Sequence, residues 1–436
     1  MRQTPCPRSN RTPSGARIPF PGFLGVLLGA LLAAFPQPSA EAQLISSYIR
    51  EQVGTLPRGR FMVSALGIQA GVGQVFDDGG SKQALSNNFN QNVSYQQITQ
   101  DDPARSNLLS GLFQAYGLNL QNTSGRIEGQ LVGRVSGTVP VVGYGITDRV
   151  GIFVNIPILT FQIQTAYRFV PSAETSRFLS TLQQNNQGSV ANEFISAMNT
   201  SLESRLYQTQ YDYNPALNRS YLGDLQVNVM NVIEESTPRK GGVAVQGIAV
   251  LPTAQDRDIR DLYGLRAGDR RFGLGARGMV ETRLTSGFSW FNSAQGVFLF
   301  PGTQARRFPS NPADRLNEAI SNSTEVTGGA RLNAQTQLRY AFPKWVAINT
   351  GLGYALKMAE GYAANDVSPT SLALASARSQ MSLASAFASV DLNSIPSFLE
   401  GNFIFPAVFE VGAGIPLAGR NSFAEPVVQF QGTMFF

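Results

Sequence analysis

The side chains able to do chemistry in this chain are guanidiniums, carboxylates, amides and hydroxyls. Histidine is absent from all 436 residues, and the single cysteine, Cys6, lies near the start. This excludes Ser-His-Asp and Cys-His catalysis and histidine-ligated metal; beyond Cys6 it also excludes disulfides and thiolate sites. No G-x-S-x-G and no phosphate loop occurs. Gly273-Leu274-Gly275-Ala276-Arg277-Gly278 matches GxGxxG, but a dinucleotide site needs a strand, a tight turn and a helix start to aim amides at a pyrophosphate. These glycines sit inside an alternating pattern with no helix following, so no cofactor is expected. The chain is read as a non-enzyme.

What remains is a set of charges on one face of alternating segments: Glu128, Arg134, Asp224, Arg271, Arg277, Glu281, Arg283, Arg331, Arg339, Lys357 and Glu410. Pointing into a lumen, this mostly basic set would favour anions. An Arg/Glu lattice that fills and stiffens a narrow barrel fits equally well, because a buried charge without a partner is costly. Both readings stay open. Asp256, Asp258, Asp261 and Asp269 invite a divalent-cation site bridging lipopolysaccharide, but Arg257, Arg260, Arg266, Arg270 and Arg271 are interleaved with them, which favours paired loop charges. No metal is expected.

The elements that carry these charges alternate with period two, as extended strands do. From Arg331 to Arg339, Arg331, Asn333, Gln335, Gln337 and Arg339 are interleaved with Leu332, Ala334, Thr336 and Leu338. Twelve such strands are read, at about 60–76, 127–145, 149–169, 222–233, 241–253, 271–284, 287–300, 325–342, 345–357, 378–390, 402–417 and 426–436. Ten to fourteen remain compatible with the pattern, since the register of 149–169 shifts phase between Pro157 and Thr160. Most reach the roughly 9–11 residues of a tilted transmembrane strand. Links after even strands are short, as in Ile146-Thr147-Asp148, Thr285-Ser286 and Pro343-Lys344, whereas 77–126, 170–221, 254–270, 301–324 and 358–377 are long. Residues 391–401 (long for a turn) and 418–425 (short for a loop) depart from the rule. Short turns on one side and long loops on the other is the arrangement of outer-membrane barrels. The expected fold is therefore an all-β antiparallel transmembrane barrel over 58–436, with partly helical loops.

The last strand closes the sheet, with Val428, Phe430, Met434 and Phe436 toward lipid and glutamines toward the lumen. Phe430, Met434 and Phe436 look like the signal read by the barrel assembly machinery. At the other end, Arg2, Arg8, Arg11 and Arg17 precede an apolar run at 20–35 and Ala40-Glu41-Ala42. This reads as a cleaved export signal over 1–42. The whole chain holds 34 basic and 29 acidic residues; without that segment's four Arg and one Glu the balance is near neutral, and no nucleic-acid partner is expected. Residues 43–57 are read as a periplasmic segment whose 43–53 part can form a short amphipathic helix, either a lumen plug or a piece lying outside it. Loop 77–126 is rich in Asn, Gln and Ser, and loop 170–221 carries helical patterns at 172–182 and 190–207.

Tyr144-Gly145-Ile146-Thr147-Asp148-Arg149 with Val150-Gly151-Ile152 resembles the strand–turn–strand of a family of Gram-negative outer-membrane proteins. Gly223-Asp224-Leu225 opens a later strand, and the next ends in Gly247-Ile248-Ala249-Val250-Leu251-Pro252-Thr253. These are similar to transporters associated with aromatic-compound degradation (the phenol meta-pathway group), related loosely to long-chain fatty-acid and toluene transporters. The resemblance covers about 127–300. The fatty-acid group carries an N-terminal Asn-Pro-Ala hatch, which 43–57 lack; Asn214-Pro215-Ala216 and Asn311-Pro312-Ala313 fall in loops, as turn chemistry. The resemblance implies a monomeric channel of the cell outer membrane, among its lipid and lipopolysaccharide, passing small hydrophobic or aromatic solutes. The alternative is a barrel that transports nothing and displays its loops for adhesion or envelope structure.

Overall fold

The computed structural model describes residues 55–101, 106–196, 216–237, 240–256, 259–260, 267–309, 318–342 and 345–436. The export segment, the 43–53 helix pattern, Asp258, Asp261 and both Asn-Pro dipeptides lie outside them.

In chain order, the first strands are β1 (Phe61–Gly71), β2 (Gln74–Phe76), β3 (Lys82–Ala84), β4 (Gln91–Ser94), β5 (Thr123–Gly145), β6 (Val150–Asn155) and β7 (Ile158–Pro171). They are followed by β8 (Ala216–Leu222), β9 (Leu225–Glu234), β10 (Gly242–Leu251), β11 (Gly273–Arg283), β12 (Phe288–Leu299), β13 (Gly302–Pro309) and β14 (Glu318–Gly328). The last are β15 (Arg331–Ala341), β16 (Val346–Lys357), β17 (Glu360–Ala363), β18 (Met381–Asn393), β19 (Ala407–Arg420), β20 (Ser422–Phe423) and β21 (Val427–Phe435).

The wall is a twelve-strand antiparallel barrel. β1 closes it by pairing with β21 on one edge and β5 on the other. Two of its staves are broken: β6 and β7 are halves of one, β8 and β9 of the next, with β6 paired to β9 and β7 to β8. The phase shift read between Pro157 and Thr160 is this break. It falls at Ile156-Pro157, where proline cannot donate to the ladder. The stave read at 325–342 also divides: Gly328 and Gly329 take φ of +69° and +76°, and the left-handed pair turns the chain from β14, in a separate three-stranded sheet with β13 and β17, into the wall at β15.

Alternation assigns the two faces. Phe409, Ile415, Leu417, Phe430, Met434, Leu332, Leu338, Tyr340, Ile348, Leu352 and Tyr354 stand exposed on the outside, while Gln335, Gln337, Asn349, Asp391, Glu410 and Gln429 are buried on the inside. Such an apolar outer belt is stable only against lipid, and inside hydrocarbon a closed sheet satisfies its own backbone.

Short connections gather at the β1 N-terminal and β21 C-terminal end, here the short-turn end. Above the opposite, long-loop end sit the helices α1 (Tyr95–Asp101), α2 (Ser106–Ala115) and α3 (Ala173–Gln184). Ser172 caps α3 by accepting from Thr175 N–H. This helix matches the 172–182 pattern, and residues 188–196 are also helical. α1 and α2 arise in a loop read only as Asn/Gln/Ser-rich. Their Tyr95, Ile98, Leu109 and Phe113 form a small core with Phe178, Leu182 and Phe194. Two further helices, α4 (Pro369–Ser379) and α5 (Ile395–Leu399), complete the fold; α5 occupies the connection that looked long for a turn.

Candidate functional site

Near the long-loop end buried charges cluster. Arg271 and Glu360 meet at 2.8 Å with side chains 0% and 1% exposed. Arg271 Nη1 also donates to the Gly328 carbonyl at 3.0 Å, and Tyr362 Oη donates to Glu360 at 2.6 Å. Arg306 approaches the same carboxylate at 3.3 Å and lies over the Tyr362 ring. Lys357 reaches Glu360 at 3.3 Å and Asp269 at 4.0 Å, and Arg331 pairs with Asp269. Two carboxylates are thus shared among four cations. Ion pairs this dry persist because each charge has partners.

Below this network the inner wall is amide-rich. Arg339 approaches Asp391 at 3.5 Å, whose Oδ1 accepts from Asn349 at 2.9 Å. Glu281 and Arg283 pair at 2.9 Å. A cavity of about 280 Å³ opens beside Arg277 and Glu410. Thr55 and Leu56 line it at the short-turn end. Gly145 is there because nothing larger fits: a Cβ on it would stand 2.2 Å from the Pro57 carbonyl oxygen.

Nine of the eleven charges expected inside are brought inward: Asp224, Arg271, Arg277, Glu281, Arg283, Arg331, Arg339, Lys357 and Glu410. Glu128 and Arg134 are not. On the upper half of β5 the inward residues are Ile127, Leu131 and Val135, all buried. Glu128 points the other way and pairs with Arg126 and with Arg168 at 2.6 Å; Arg134 is exposed on that same outer face. The expectation assumed a polar inner face along this strand, whereas the inward residues of β5 are apolar and packed from Ile127 to Val141.

Asp224 has a different task from the other charges. It sits at the β8–β9 break, buried, and its carboxylate accepts three backbone N–H bonds: Ala254 at 3.1 Å, Asp269 at 2.7 Å and Arg270 at 3.0 Å. Those donors are the two ends of the β10–β11 connection, so one side chain pins both. Among the described residues no strand pairs with the far edge of β8. Along that edge, a seam above Leu225 and Leu251, the described residues beside β8 are the ends of this connection, Gln255 N–H donating to the Leu222 carbonyl at 3.2 Å. Apolar side chains border it outside, namely Ile158, Leu222 and Phe272, with Phe300 5.4 Å from Phe272. Inside, Leu159, Phe161 and Tyr221 are buried with Ala267 of the connection.

The inner residues missed by sequence reading are Asp269, Glu360, Arg306 and Asp391. Asp391 carried a signal, since it continues the alternation Ser385, Phe387, Ser389 one step past the expected strand end. Asp269 was weighed with Asp256 for a cation site against paired loop charges; it pairs with Arg331 and Lys357, and Asp256 pairs with Arg270. No metal-binding cluster occurs among the described residues. Gly273 to Gly278 lie within β11, as read.

No protein-family model matches the chain, and no curated protein does. Among solved structures it is similar to an outer membrane channel from Pseudomonas putida F1, at 10% identity over 89% of this chain and 99% of that one, with a TM-score of 0.49. CymD, a monoaromatic hydrocarbon channel, aligns at 8% identity over 87% and 89% of the two chains, TM-score 0.32. The beta domain of the Bordetella autotransporter Brka aligns at 8% over 87% and 99%, TM-score 0.31. A likeness this loose, shared by channels and an autotransporter, transfers no solute and no residue role to this chain.

Proposed function

We propose that the protein is an outer-membrane channel of a Gram-negative bacterium that passes small apolar solutes, aromatic ones among them, by diffusion through the seam beside β8. The observation that carries this reading is the buried ion network near the long-loop end together with the apolar seam beside β8. Water and ions meet the Arg271–Glu360 network. An apolar solute arriving under the helical lobe meets Leu159, Phe161 and Tyr221 and, past the pinned connection, the lipid-facing Leu222 and Phe272. Transfer along apolar surface into hydrocarbon is downhill for such a molecule. On this reading residues 1–42 are removed on export, and Phe430, Met434 and Phe436 serve assembly.

The test joins planar-bilayer conductance under a salt gradient with uptake of a neutral monoaromatic into proteoliposomes. Little steady conductance together with accelerated uptake is the expected pair. Steady anion-selective conductance without that uptake overturns the seam in favour of an open basic pore. Silence in both assays, with folded and inserted protein, favours a display barrel. The observation behind that second reading is the helical lobe's own core, where Phe113, Phe178 and Phe194 meet edge to face.

A further inference from the structure

The connection between β18 and β19 is unlike its neighbours at the short-turn end. The turns at 146–149, 235–241 and 284–287 are short and mainly polar. This one runs over residues 394–406 with Glu400 its only charge. Five large apolar side chains stand out of it: Phe398 at 37% exposure, Leu399 at 78%, Phe403 at 41%, Ile404 at 90% and Phe405 at 39%. Disorder does not account for the exposure, because the neck is stapled. Ser394 Oγ accepts from Ala407 N–H at 2.8 Å and donates to the Phe405 carbonyl at 3.0 Å, and Asn393 Oδ1 accepts from Ile395 N–H at 2.9 Å. The far end folds back through Asn402 N–H to the Ser397 carbonyl at 2.8 Å, with Gly401 at φ +74°. The fold holds a greasy surface out on purpose-built hydrogen bonds, and such surfaces mark an interaction.

We infer that this turn lies in the phospholipid leaflet at the short-turn end, as an in-plane anchor. The argument is continuity with the lipid-facing belt. Ala407 is in register with Met434, and Phe435 N–H donates to the Pro406 carbonyl at 3.1 Å, so the turn begins beside the lowest outward residues of the belt, Phe409, Met434 and Phe436. Phe405 is two residues past Ala407, roughly 7 Å along the strand. The polar interface adds about 5–8 Å to each side of the hydrocarbon, and interfacial elements bury an apolar face about that deep, with aromatics at the boundary. A turn with one charge and five apolar side chains matches that layer. The outer-membrane reading enters only in naming the leaflet, the periplasmic one.

The experiment uses the full chain with Cys6→Ser and one new cysteine: Ile404→Cys in the turn, Thr147→Cys in a polar turn, or Leu417→Cys in the belt. All three sites are exposed, so folding is spared. Each cysteine carries an environment-sensitive fluorophore, and the protein is placed in phosphatidylcholine vesicles spin-labelled near the glycerol or near the chain end. Emission at 404 is expected to be blue-shifted and quenched most by the shallow label, that at 417 to be quenched also by the deep label, and that at 147 by neither. A position 404 that behaves like 147, or is shielded from water yet unquenched (covered by protein), overturns the anchor. Failure at 417 as well overturns the membrane reading itself.

Discussion

Replacing Asp224 with alanine should release the β10–β11 connection from the wall while leaving the barrel standing. The carboxylate satisfies three backbone donors, and those of Ala254 and Asp269 are buried. Each buried N–H left without an acceptor costs about 1–3 kcal/mol, or about 4 kcal/mol for the two. Against this, opening in the parent re-solvates a buried carboxylate, and the variant loses that drive to open; it offsets part of the loss. A net of roughly 2 kcal/mol favours opening, which speeds exchange of these amides about 30-fold at about 1.4 kcal/mol per decade. Hydrogen exchange followed by mass spectrometry reads this directly on peptides covering 252–256 and 267–272. Asp148→Ala is the control: that carboxylate accepts from Arg58 N–H at 3.0 Å in an exposed turn, and its loss should leave both peptides unchanged. Asp224→Ala with exchange within about threefold of the parent, less than 1 kcal/mol, would refute the assignment of Asp224 as the pin. On the proposed route the same variant takes up the neutral monoaromatic faster.

Glu360→Ala strips Arg271 and Arg306 of their shared carboxylate in a dry site; breaking a buried pair costs about 3–5 kcal/mol, so the heat-modifiable band should shift at lower temperature and ion conductance should rise. Gly145→Val puts side-chain atoms where the Pro57 and Leu56 carbonyls lie, 2.2 and 2.5 Å from the Cβ; the segment should be expelled, and trypsin should cut at Arg58 and Arg60 where the parent resists. Glu425, in the β20–β21 connection, accepts from Gly73 N–H at 2.7 Å, and burial pushes its carboxyl above the usual range. A folded-state value above the unfolded one means the native state binds the proton more tightly, so stability falls as pH rises through the carboxyl's range. Glu425→Gln should therefore exchange no faster than the parent around Gly73 at neutral pH, and the gap between them should close on acidification; a variant that exchanges faster at neutral pH contradicts this.

The barrel was legible because inside a membrane one rule governs every stave: apolar outward, polar inward. Leu332, Leu338, Arg331 and Arg339 obey it, and so do Val428 and Phe430. The rule lapses on β5, whose inner face is apolar. Ile127, Val135 and Val141 pack inside, and Glu128 and Arg134 stand on the other face. Helices α1 and α2 depend on tertiary contact with Phe178 and Phe194, which polar loop composition conceals, although Leu109 and Phe113 have helical spacing. Glu360 gave no sequence signal: its role depends on β14 and β17 being folded back over the lumen, which brings it beside Arg271, 89 positions away.

The apolar inner face of β5 is what makes the proposed lateral route physically coherent. Its inward residues stay apolar and buried from Ile127, Leu131 and Val135 near the long-loop end to Val139 and Val141 near the short-turn end. An apolar inner surface thus runs along this strand and its partner β7, where Leu159, Phe161 and Ile163 are buried. The seam beside β8 lies where the inner surface of Leu159, Phe161 and Tyr221 comes closest to the outer one at Ile158 and Leu222. A barrel that kept polar residues inward throughout would offer an apolar solute no lining on which to approach such a seam, and would have to pass it through an ion network. On the proposed route the ion network stands on the axis, the apolar inner face leads to the seam, and Asp224 holds the connection beside it.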